Sequence, residues 1–112
     1  MIHKTYPFTE KLMVDALTLA EQLHQQLHQE AYALKKAQHA ESIDFIAANK
    51  RQLAAKLEQF NSQLGRVLTS ENLPHSQQGL ADYFLRAEAA NLPTTEARKK
   101  WETIRTLCAE SK

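Results

Sequence analysis

The stretch that decides the fold runs from Ser42 to Leu68, SIDFIAANKRQLAAKLEQFNSQLGRVL. Read in sevens, Ile43, Lys50, Leu57 and Leu64 occupy one seam position, and Ile46, Leu53, Phe60 and Val67 occupy the other. Seven of these eight residues are apolar, and their 3-4 alternation lines one face of a coiled-coil helix. Lys50 is the exception, a cation where the pattern asks for a hydrophobe. An isolated helix gains nothing from such a stripe, so a second helix of similar length must lie against it.

The partner stands upstream. Leu12, Ala16, Leu19, Leu23, Leu27, Ala31 and Leu34 run without an intervening glycine or proline. Leu12, Leu23 and Leu34 are eleven apart, which predicts a straight or slightly right-handed stripe rather than a strict heptad. Pro7 is read as setting the chain's entry, with Thr9 as N-cap and Glu10 near the positive end of the helix dipole. The first helix then reaches Gln38, roughly 45 Å for about 30 residues. His39, Ala40 and Glu41 make the connection, and Ser42 caps the second helix, with Asp44 in its first turn. A link this short forces antiparallel neighbours. Folding about Glu41 sets Leu34 by Ile46, Leu27 by Leu53, Leu23 by Phe60 and Glu30 by Lys50. Lys50 is expected to lay its methylenes along the seam and offer its ammonium to Glu30, a structural pair worth at most about 1 kcal/mol if exposed.

Downstream of Ser70, Glu71-Asn-Leu-Pro-His-Ser76 is the clearest break, because Pro74 disfavours helix at Leu73. Ser76 caps a shorter helix carrying Leu80, Tyr83, Phe84 and Ala87 on one face. Asn91-Leu-Pro-Thr94 breaks it again, and Thr94 caps a last helix with Ala97, Trp101, Ile104 and Cys108 at 3-4 spacing, widened by Leu107. The chain ends at Ser111-Lys112 without an evident C-cap, so this helix is expected to continue beyond it. The expectation is one all-α domain, residues 1–112: a long antiparallel coiled-coil-like hairpin (about 9–38 and 42–70), a short third helix (76–90) and a C-terminal helix (94–112) packed against it.

Composition agrees. The 112 residues suit one core, and two glycines with three prolines leave little but helix. Fourteen Lys and Arg against 13 Asp and Glu give a net charge of +1, which argues against phosphate binding by bulk charge and hence against nucleic acid. The single Cys108 excludes an internal disulfide and suits a reducing cytoplasm. No apolar run approaches a membrane span and the N-terminus lacks a signal-peptide core, so stable membrane insertion is not expected.

Little in the sequence carries chemistry. His24 and His28, in HQQLH, have the i, i+4 spacing that lets two imidazoles share a metal. They lack a zincin glutamate and lie off the leucine stripe, so they read as a surface pair and no metal is expected. Cys108 has seam spacing and reads as an inert thiol. Gly65 is isolated and no phosphate loop surrounds it. Arg98, Lys99 and Lys100 read as a solvated face. No catalytic residue, cofactor or enzymatic activity is expected. What remains is the apolar stripe of the last helix, which either closes the bundle or recognises another chain as a helix in a groove.

Leu23-x3-Leu27-x2-Glu30-x3-Leu34 followed by Asn49-Lys50-x2-Leu53-x3-Leu57 resembles the paired long helices of FlgN-type flagellar export chaperones. The resemblance extends through Leu64-Gly-Arg66-Val-Leu68 and into Trp101-x2-Ile104-x2-Leu107-Cys108, similar to that family's tryptophan-led last helix. It covers most of the chain, though each motif alone is a common leucine spacing. Two features depart from the family: its usual asparagine–glycine segment and amphipathic tail do not follow, and the charge is near neutral rather than acidic. The resemblance implies a cytoplasmic chaperone without ATPase activity, a monomer or weak homodimer. It would bind C-terminal segments of hook-associated proteins and deliver them to the flagellar export gate. The partner-binding residues are then Trp101, Ile104, Arg105, Leu107 and Cys108. Two other readings stand beside it, a structural or oligomerising hairpin and a helical regulatory domain built on the histidine pair.

Overall fold

A computed structural model describes residues 2–36 and 40–110, and among these every regular element is an α-helix: α1 (Ile2–Lys35), α2 (Ala40–Ser70), α3 (Gln77–Ala89) and α4 (Thr95–Glu110). α1 and α2 form the long hairpin, and α4 packs along α1, so the all-α architecture has the expected layout. The molecule is a rod of 54 × 22 × 20 Å. Among the described residues no helix is long and apolar enough to cross a membrane.

The α2 seam follows the sevens. Phe60, Leu64 and Val67 are buried, while Ile43, Ile46, Lys50, Leu53 and Leu57 are half-buried. The gradient has a simple cause. Near Phe60–Leu68 the hairpin is covered by α3 and α4, whereas the distal half has only two helices to share its stripe. Lys50 Nζ donates to both carboxylate oxygens of Glu30, at 2.8 and 3.1 Å, so the one charged seam position of α2 meets a carboxylate on α1.

Helix α1 departs from the sequence reading at both ends. It begins at Ile2, not near residue 9, and passes straight through Pro7. Pro7 and His3 both face water, so the His3 carbonyl that loses its helical donor is accessible to solvent. Thr9 is no cap; it is fully buried inside the helix, and its hydroxyl donates to the Thr5 carbonyl at 3.2 Å. The buried face is wider than the expected stripe. Leu12, Ala16 and Leu23 are buried and Leu19 and Leu27 half-buried as expected, while Thr9, Met13, Ala20 and half-buried Glu30 add a neighbouring row in heptad register. Leu34 is 60 % exposed and Ala31 is exposed as well, so Leu34 is turned to water instead of packing on Ile46; Ala33 is buried in its place. Ser42 lies inside α2 rather than capping it. The expected end of the first helix at Gln38, the connection at His39 and the last two residues lie outside the described residues.

The two corners around α3 share one design. After α2, Asn72 takes φ 60°, the Leu73 amide donates back to the Leu68 carbonyl (2.8 Å) and the Asn72 amide to Thr69 (3.0 Å). After α3, Asn91 takes φ 65°, Leu92 donates to Ala87 (2.9 Å) and Asn91 to Glu88 (2.9 Å). Both are Schellman caps written as Asn-Leu-Pro. Asparagine tolerates the left-handed conformation, leucine folds back onto the core and proline prevents the helix from resuming. Ser76 caps α3 by accepting from the Gly79 amide at 3.1 Å. Arg86 donates to the Glu71 carbonyl at 2.7 Å, tying α3 to the end of α2. Thr94 is buried ahead of α4 and donates to Glu88 Oε1 at 2.9 Å. The Arg98 guanidinium reaches the same oxygen at 2.9 Å, as an ion pair rather than a directed hydrogen bond.

A hydroxyl cluster locks the base of the rod. Tyr83 Oη lies 2.8 Å from Thr5 Oγ1 and 3.0 Å from Thr9 Oγ1, and Tyr6 Oη donates to the Pro93 carbonyl. These bonds join α1 to α3 and to the approach of α4. Burial pushes the Tyr6 phenol up to about 12, with Glu10 adding to the effect. Burial also raises Tyr83, against the opposing pull of the Thr5 and Thr9 hydroxyls.

Candidate interaction groove

Helix α4 runs parallel to α1. Its approach is held at the Tyr6 end by the Pro93 carbonyl, and its last turns reach the level of Leu23. It leans on α1 rather than on α2, so α2 and α4 face each other across an open groove of about 990 Å³. The floor is apolar, built from Leu57, Phe60, Leu64 and Leu68 of α2, Leu80 of α3 and Trp101, Ile104 and Cys108 of α4. Glu58, Asn61, His75, Gln77, Glu102 and Arg105 form a polar rim. Along α2 the lining runs from Ala54 to Leu68, roughly 21 Å of helix axis, or about four turns.

The sequence-predicted residues divide within this geometry. Trp101 is half-buried and its ring stands 6.4 Å from that of Phe60, tilted by 41°, closing one end of the floor. Ile104 is 3 % exposed and belongs to the core as much as to the groove. Cys108 is half-buried in the wall. Arg105 is exposed on the rim, donating to Gln77 Oε1 at 3.2 Å and to Glu102 Oε1 at 3.5 Å, so it bridges α4 to the start of α3. Leu107 packs against the core and is not part of the groove lining. The last helix is therefore docked on its own hairpin, and what it offers is one wall of a cleft.

The other wall was not anticipated. Ala54, Asn61 and Leu68 lie one position beyond the heptad seam of α2, and together with Leu57 and Leu64 they turn a single stripe into two adjoining faces, one for α1 and one for the groove. The small side chain of Ala54 beside the seam was the available signal. A second, smaller groove of about 790 Å³ lies between α3 and α4 and shares Leu80, Trp101 and Arg105 with the first, with Phe84, Arg98 and Lys99 along it.

Other candidate chemistry is sparse. Among the described residues no three His, Cys, Asp or Glu side chains come together. His24 and His28 do meet: their Nε2 atoms are 3.0 Å apart and their rings stand edge to face, 77° between planes. No protein-family model, curated protein or solved structure matches the chain.

Proposed function

We propose that this protein is a chaperone that shields an amphipathic helix of a client in the groove between α2 and α4. The observation that carries the reading is the groove itself: an apolar floor about four turns long with a polar rim, which is the form of a helix-in-groove site. It includes Trp101, Ile104, Arg105 and Cys108 of the last helix, the segment whose resemblance to FlgN-type chaperones implies client binding. On that reading the clients are hook-associated proteins, whose C-terminal segments would aggregate or polymerise if left uncovered. The site of action is the cytoplasm, and the complex is passed to the flagellar export gate. Holding by surface burial requires no nucleotide and no catalytic residue.

Deletion from Trp101 onward is a poor test, because Ile104 is part of the core. Ala54 and Thr106 line the groove yet are exposed. Ala54→Arg and Thr106→Arg are expected to leave the melting temperature within about 2 °C of wild type, since surface changes cost within about 0.5 kcal/mol. They are expected to weaken binding of a C-terminal hook-associated-protein peptide about tenfold or more, measured by fluorescence anisotropy. Binding equal to wild type in both variants would refute the groove as the client site.

A second reading has its own support. At the distal end Tyr32, Leu34 and Phe45 are 59, 60 and 69 % exposed, above a seam that is only half-buried, as in a hairpin that pairs with another hairpin. Light scattering distinguishes the two readings, because a monomer at high concentration eliminates the oligomerising one.

A further inference from the structure

We propose that His24 and His28 form a chelating site for a divalent transition-metal ion of the nickel or copper type on the flank of α1. The two Nε2 atoms converge to 3.0 Å with the rings edge to face, centroids 4.4 Å apart. An ion held at about 2.1 Å from each nitrogen would subtend an angle of about 90° at the metal. That is the cis angle of tetragonal and octahedral coordination, and imidazole nitrogen suits both nickel and copper.

The pair is held in place by packing that the metal need not supply. Leu23 and Leu27, each immediately before a histidine, are buried and half-buried in the hairpin seam, so both turns of α1 are fixed against α2. His24 is half-buried and His28 exposed, which leaves the second ring open to solvent. A cleft of about 450 Å³ adjoins His28, lined by Gln25, Gln29, Tyr32 and Ile46, and the exposure of His28 leaves the ion's remaining positions to water. For both Nε2 atoms to ligate the ion, each ring must carry its proton on Nδ1, so the ion replaces the direct Nε2–Nε2 contact.

Calorimetric titration of the full chain with nickel chloride tests the site. One saturable equivalent is expected, with a rise in melting temperature. His28→Ala and His24→Gln should each weaken it about tenfold or more. The titrations are made on a His3→Ala background, since a terminal amine with histidine at the third position can chelate nickel by itself; there His39→Ala and His75→Ala should bind as their parent. Circular dichroism of each variant checks that helix content is retained. Absence of saturable binding, or undiminished affinity in folded His28→Ala, would overturn the proposal.

Discussion

Two glycines sit in helices for opposite reasons. A Cβ on Gly79 would fall 1.9 Å from the Pro74 carbonyl oxygen, a backbone atom fixed by the corner that precedes α3. A Cβ on Gly65 would meet the His75 ring at 2.7 Å, but His75 is an exposed side chain that can swing aside. Gly79→Ala should therefore cost at least about 1–3 kcal/mol, lowering the melting temperature by roughly 5 °C or more. Gly65→Ala should be neutral or stabilising by up to about 1 kcal/mol, since alanine is the better helix former. Thermal melts of the two variants decide the matter, and equal losses would mean that the His75 ring is as immovable as the Pro74 backbone. Neither close approach has a local sequence signal, because each depends on how a corner folds back over a helix.

At the scale of elements, the seam carries one charged layer. Glu30 and Lys50 retain 22 and 31 % side-chain exposure, so solvent screens the pair and a double-mutant cycle with alanine should give about 0.5–1 kcal/mol of coupling. Replacing both by leucine should raise stability by about 1 kcal/mol or more, because a hydrophobic pair avoids desolvating two charges. The same replacement should promote self-association, seen as concentration-dependent mass in light scattering, since a uniform apolar seam no longer specifies its partner. No gain in either quantity would count against this account. The seam and its charged layer were legible because spacing in sevens survives any tertiary context. The start of α1 was not: Ile2, Tyr6, Thr9 and Met13 already had helical spacing, but Pro7 reads as a boundary until one knows that its side of the helix faces water. The distal end of α1 was missed because leucine identity outweighed register at Leu34. The groove's α2 wall was hidden for a related reason, since a pattern read for one partner does not reveal a second.

For the molecule as a whole, stability concentrates at the base of the rod, where Tyr6 and Tyr83 join α1 to α3 and to Pro93. Both phenols have raised pKa values in the folded chain, Tyr6 to about 12. Above about pH 10 the unfolded chain releases phenolic protons that the folded chain still holds, so stability is full below that pH and falls as pH rises toward 12. Urea denaturation across this range should show the decline, and Tyr6→Phe should flatten it, at a cost of about 1 kcal/mol near neutrality for the lost hydrogen bond. A flat profile in wild type would contradict the burial of these groups. The placement of α4 along α1 has a further consequence. Both walls of the groove rest on the same helix, α2 and α4 each packing on α1, so the groove's width is set by how two separate interfaces are seated on one spine.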